Sequence, residues 1–166
     1  FKEFYGIDHL TSDNYVTFME RASSSVYWPD EAMGVGLIYG DEKLYGIQAG
    51  IYSPGVASGG AGGTTDWSVT GRGYVAPQIG SGVIHVGLNG SYRGYETSAT
   101  TKFEQRPETH LAEKVLRTGN IANPSSETRF GPEIAAVFGP VSAQAQYDWS
   151  QIDRDGGLPS VSTEGG

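Results

Sequence analysis

At 166 residues, with a formal net charge of -8, no cysteine and only 37% hydrophobic residues, the chain excludes several function classes. Nucleic-acid binding needs a basic stripe to neutralise phosphates, and none is present. Disulfide frameworks and thiol chemistry are excluded too, and no run approaches the ~18 to 20 apolar residues of a membrane helix, so any spanning structure must be a barrel.

The first segment, Phe1 to Asp30, holds a short helix in expectation, with Ser12 as N-cap before Asp13 to Arg21. Six strands follow from period-two alternation: about 34 to 40, 43 to 53, 66 to 76, 82 to 95, 129 to 139 and 141 to 153. Glycine at 25 and tyrosine at 10 suit many short strands and turns. Apolar Tyr45, Ile47, Ala49 and Ile51 oppose Leu44, Gly46, Gln48 and Gly50; Trp67, Val69 and Val75 oppose Ser68, Thr70, Arg72 and Tyr74; Ile84, Val86, Leu88 and Tyr92 oppose His85, Asn89, Ser91 and Arg93. In the last strand Val141, Ala143, Ala145, Tyr147 and Trp149 oppose Ser142, Gln144, Gln146, Asp148 and Ser150. Leu44 and Val83 fall on the polar face against the pattern. Pro132, which cannot donate in a ladder, marks a bulge or the true start of its strand.

The links at 40–43, 77–82 and 139–140 are short, whereas 53–66, 96–128 and everything after Arg154 are long. Short turns alternating with long loops are the habit of up-and-down outer-membrane barrels, whose aromatic residues gather at both ends of the apolar face. The stretch 56–65 is a flexible loop by composition. Between Glu96 and Thr128 an extended piece around Lys102 to Pro107 precedes a short helix over His110 to Arg117, stopped by Gly119. Six strands are fewer than the about eight that close a membrane barrel. The chain starts at Phe1 without a signal segment and ends on Gly165-Gly166, so it reads as a fragment.

Three blocks and the closing hairpin carry a resemblance. Thr11-Ser-Asp-Asn-Tyr-Val-Thr-Phe-Met-Glu-Arg21, Val83-Ile-His-Val-Gly-Leu88 with Ser91-Tyr-Arg93, and Arg106-Pro-Glu-Thr-His-Leu-Ala112 resemble the phosphate-selective porin O/P family. The resemblance implies an all-β fold, an antiparallel up-and-down transmembrane β-barrel of roughly sixteen strands. It implies a bacterial outer-membrane homotrimer in contact with lipid and lipopolysaccharide, conducting small anions such as phosphate or polyphosphate. It also implies two inward-folded loops, about 1–30 and 96–128, within one partial barrel domain spanning 1–166. Arg21, Arg72, Arg93 and Arg106 match positions where such porins place arginine in or near the pore. Asn14 stands where they carry a constriction lysine, and Glu104 and Glu108 flank Arg106 where they run further arginines.

The polar faces collect Arg72, His85, Arg93, Arg129, Glu133 and Asp148, while Lys102, Glu104, Arg106 and Glu108 alternate onto one side of the inward segment. The expected anion pathway is therefore Arg21, Arg72, Arg93, Lys102, Arg106 and Arg129, since guanidinium and ammonium donors can replace an anion's hydration. The mixed signs imply internal ion pairs and a weaker field. No cofactor or metal is expected: Asp153-Arg-Asp155-Gly156 lacks the later acidic ligand of a calcium loop. His9, His85 and His110 are scattered, and no hydrolase, metalloprotease or phosphate-loop motif is present, so no enzyme is expected. The competing readings are a porin-like barrel that anchors a partner and a soluble all-β binding domain.

Overall fold

The computed structural model describes residues 2–12, 14, 23–29, 31–41, 43–53, 65–96, 100–105, 113 and 116–166. Its strands pair with their chain neighbours in order: β1 (Met33–Asp41), β2 (Tyr45–Ser53), β3 (Thr65–Val75), β4 (Gly82–Tyr95), β5 (Pro124–Phe138), β6 and β7 (Val161–Gly165). Strand β6 consists of Val141–Gln146 and Asp148–Arg154. All these pairings are antiparallel, and β1 and β7 are the two edges, so the sheet does not close among the described residues. The fold is all-β, and no described helix is long and apolar enough to cross a membrane. The short elements are a helix at Ile7–Leu10, a 3₁₀ turn at Ser23–Tyr27, a two-residue strand Gln78–Ile79 against the start of β4, and two small ladders, Thr100–Thr101 with Ile121–Ala122 and Glu104–Gln105 with Leu116–Arg117.

Alternation makes the two faces of this sheet opposite in character, and their burial is inverted relative to a soluble protein. Leu37, Ile47, Ile51, Val69, Val86, Leu88, Ile134 and Val141 are all exposed, Leu37 to 77%, whereas Glu127, Glu133 and Asp148 are at most 2% exposed. Aromatic pairs sit toward the ends of the apolar face: Tyr39 with Tyr45 at the short turn, and Trp67 with Tyr92 and Phe130 with Trp149 toward the long loops. Beyond Trp149 the pattern flips. Gln151 and Asp153 are exposed, and Ile152 is fully buried in a small core with Tyr27, Phe103 and Ile121. From Val141 to Trp149 the apolar run is nine residues, within the range of about 9 to 11 for a tilted membrane strand.

The hairpin joining β5 and β6 shows how the turn is fixed. Phe138 pairs with Val141, leaving Gly139 and Pro140 as a two-residue loop. Gly139 has φ 56, and proline's fixed negative φ at the second position excludes the type I′ turn, which leaves the type II′ geometry that matches strand twist. Nothing lies within 4 Å of a Cβ added at Gly139. Gly139→Ala should therefore cost about 1–2 kcal/mol from backbone strain alone. The urea midpoint of the protein refolded in detergent checks this.

Four sequence expectations are corrected. Pro132 marks neither a bulge nor a start: it pairs with Leu88 inside β5, and the register beside β6 is unchanged from Glu133↔Gln146 to Phe130↔Trp149. The missing N–H only breaks the β6 ladder at Tyr147, whose own N–H reaches the Pro132 carbonyl at 3.1 Å. Strand β5 starts at Pro124 rather than at 129, since a first strand residue needs no donor. The chain after Arg154 is not one long loop, because a turn with Gly156 and Gly157 at positive φ returns it into β7. The helix expected over His110 to Arg117 fails at its end, where Leu116–Arg117 is a strand paired with Glu104–Gln105. The helix expected over Asp13 to Arg21 lies outside the described residues apart from Asn14, and so do residues 106–112.

Candidate functional site

Strand register decides which polar-face residues meet. Ser68 lies opposite Arg93, which lies opposite Glu127. Thr70, Ser91, Arg129 and Ser150 form the next row, and Arg72 with Asn89 the one after. All of these residues are buried. Against this wall lies the start of the chain: Phe4 donates its N–H to the Tyr52 hydroxyl at 3.3 Å, and Gly6, with φ 63, turns the segment over Gln146.

Three charge clusters result. In the first, Glu133 accepts from Arg72 Nε at 3.0 Å and Nη2 at 2.5 Å, with His85 Nε2 2.7 Å from the same oxygen. Tyr74 stacks on His85 and lies under the Arg72 guanidinium, 4.7 Å from its carbon. In the second, Arg129 grips Glu127 through Nε at 2.6 Å and Nη2 at 2.9 Å, and its Nη1 donates to the Tyr27 carbonyl. Hydroxyls of Tyr95 and Ser150 complete the Glu127 shell at 2.5 and 2.6 Å. In the third, Glu3 accepts from Arg93 Nη2 at 2.8 Å and Ser68 Oγ at 3.1 Å. Nearby, Asp148 accepts from the Tyr5 hydroxyl at 2.9 Å and from Gln146 at 2.9 Å.

Burial pushes the Glu3 carboxyl above its ordinary value, the opposing pull of Arg93 and Ser68 being smaller. Burial likewise raises the Tyr5 hydroxyl, with Asp148 adding to the effect, so Tyr5 keeps its proton and donates it to that carboxylate. Three guanidinium groups, Arg72, Arg93 and Arg129, thus face four carboxylates, Glu3, Glu127, Glu133 and Asp148. The described wall carries no surplus of positive charge.

Of the residues expected on an anion pathway, Arg72, Arg93 and Arg129 share one buried face, each bound to a carboxylate. Lys102 sits apart from that row, 3.0 Å from Glu104, which Arg117 also approaches at 3.4 Å. Arg21 and Arg106 lie outside the described residues. The sequence reading missed Glu3, Tyr5, Tyr27 and Glu127. Glu127 was legible, since it continues the period-two run of Arg129, Gly131 and Glu133 backward; starting the strand at 129 hid it. Glu3, Tyr5 and Tyr27 have no local signal, because their partners lie more than sixty residues away.

Comparison with known proteins bears on the same sheet. A protein of Caulobacter vibrioides (strain ATCC 19089 / CIP 103742 / CB 15), described only as uncharacterized, is 26% identical over 161 residues, covering 90% of this chain. The chain spans about a third of that relative's length, 32%. No solved structure matches the chain. The family described as phosphate-selective porin O and P matches over residues 1–166, every position of the sheet included, and the chain belongs to that family.

Proposed function

We propose that the chain is part of a passive outer-membrane porin for small anions, phosphate among them, assembled as a homotrimer against lipid and lipopolysaccharide. The observation that carries this reading is the inverted sheet, with its apolar side chains outward and its charges inward. Each apolar side chain gains about 1.5–3 kcal/mol on leaving water. Eight such residues together amount to roughly 12–24 kcal/mol, as much as or more than the whole stability of an ordinary domain. That favours a lipid-covered wall over the soluble binding domain. Membrane proteins spanning with strands need closure, which the rest of a chain three times this long can supply.

Anion preference in this reading belongs to the inward segments, about 1–30 and 96–128, where Arg21, Lys102 and Arg106 stand. The strand arginines support the segments rather than the solute, because carboxylates already hold them. Planar-bilayer recordings of the full-length protein test this. Arg106→Glu should reduce anion preference more than Arg72→Glu, and equal or reversed effects would contradict the placement. The covering of the wall by residues 3–5 favours, as the second reading, a barrel with an occluded lumen that serves to anchor a partner. Absence of any conductance from the full-length protein would select it.

A further inference from the structure

On the outward face, opposite the charge clusters and where the apolar run of β6 ends, lies a groove of about 620 Å³. Two cross-strand rows line it. Phe130, Trp149 and Glu164 sit side by side on β5, β6 and β7, and Thr128, Gln151 and Ser162 form the next row toward the long loops. All six are exposed. The Phe130 and Trp149 rings stack with centroids 5.9 Å apart, and Tyr147 packs edge-on against Trp149 at 4.6 Å. The volume is within the range of about 300–1,000 Å³ for small-ligand sites.

The boundary between the two rows is also a chemical boundary. Toward the short turns β5 and β6 present exposed Ile134, Ala143 and Ala145, whereas toward the long loops they present hydroxyls, an amide and the carboxylate of Asp153. An occupant seated here touches an apolar wall at one end and hydrogen-bonding groups at the other, as a lipid does. The lining decides which lipid. No arginine or lysine lines the groove among the described residues, Glu164 is an anion, and Asp153, which accepts from the Gln151 amide at 3.3 Å, is a second one beside it. A phosphate headgroup meets like charge there. Acyl chains alone would strip water from a carboxylate, an amide and two hydroxyls without replacing their hydrogen bonds. A sugar ring meets both demands: its C–H face covers the electron-rich face of an aromatic ring, and its hydroxyls donate to carboxylate and amide oxygens and accept from Thr128 and Ser162. Glu164 already accepts from the Tyr147 hydroxyl, but a carboxylate's two oxygens offer about four acceptor sites, so places for sugar donors remain.

We infer that this groove binds the neutral saccharide headgroup of an outer-leaflet glycolipid, its sugar ring stacked on Trp149, its hydroxyls on Glu164 and Gln151, and its acyl chains running over Ile134 and Ala143. This rests on the porin reading above, which puts the long loops outside the cell.

The test uses the full-length protein, purified in a sugar-free detergent and shown to be folded by its heat-shifted gel migration, with a neutral diglucosyl diacylglycerol as probe and native mass spectrometry as readout. Wild type should retain this glycolipid at concentrations where the matching diacylglycerol and a phosphatidylglycerol of the same chains do not bind. Trp149→Leu, which keeps an apolar surface for acyl chains, should weaken retention about fivefold, the order of one aromatic-face contact. Glu164→Ala, at an exposed position, should weaken it about tenfold through the lost charged acceptor, and it serves if the first variant folds poorly. Equal retention of the diacylglycerol, stronger retention of phosphatidylglycerol, or variants that bind like wild type would each overturn the site. Loss of the trimer in Trp149→Leu with glycolipid retention unchanged would assign the groove to a neighbouring protomer and overturn it as well. Any of these results in a protein that still conducts in planar bilayers leaves the porin reading intact. A wild-type protein that retains the glycolipid yet conducts nothing keeps the site and strikes the conducting reading.

Discussion

Glu127→Ala is expected to lower the stability of the folded sheet by about 3–5 kcal/mol, the range for removing one partner of a buried ion pair. The reason is that Glu127, 0% exposed, is the acceptor shared by four donors from three strands: Arg129 through two nitrogens, Tyr95 and Ser150. Removing it strands the Arg129 guanidinium, which is itself buried and also holds the Tyr27 carbonyl and faces the Phe103 ring at 5.8 Å. The loss therefore propagates to the small core of Tyr27, Phe103, Ile121 and Ile152 that fastens the early segment and the 100–122 segment to the sheet. A lower temperature for the folded-to-unfolded shift in gel migration, matched by a lower urea midpoint, checks it. Glu127→Gln, which keeps an acceptor oxygen, should lose less than half as much.

The second large effect concerns charge rather than stability. Glu133→Gln keeps the volume and one acceptor for Arg72 and His85, so the sheet should fold, but the wall gains a net positive charge at Arg72. A unit charge at 4 Å acts on a passing ion with about 1 kcal/mol in a water-like medium, or roughly fivefold in local anion concentration. The chloride-to-potassium permeability ratio should rise by a factor of that order at low salt and shrink toward wild type at high salt, as screening shortens the Debye length. A ratio unmoved at every salt concentration would mean that the Arg72 and Glu133 pair does not face the conducting path.

Much of the sheet was legible because its signal is local. Alternation along 45–53, 82–95 and 141–153 reports faces directly, and the Gly139-Pro140 pair reports a turn, so strand order and the inward set Arg72, His85, Arg93, Arg129, Glu133 and Asp148 could be read from the chain. What failed was also local in cause. Pro132 looked like a bulge or a strand start, yet it merely omits a donor inside a strand that opens at Pro124. Val161–Gly165 is too short, with a single apolar residue, to announce itself, and it pairs with β6 from Asp148 to Ile152. The wall's charge pairing was visible only as a mixture of signs; which carboxylate takes which arginine depends on register and on Glu3, sixty-five residues from Ser68. Those long-range contacts turn the internal ion pairs that the mixed signs implied into named ones, each strand arginine with its own carboxylate.

Selectivity of the full-length protein decides the proposed porin function. The most direct measurement is the reversal potential of the full-length wild-type protein across a tenfold potassium chloride gradient in a planar bilayer. A self-neutralised wall, with Arg21, Lys102 and Arg106 proposed to meet the solute, predicts a small displacement toward the chloride potential; a displacement toward the potassium potential, or a value at the chloride limit itself, would contradict it.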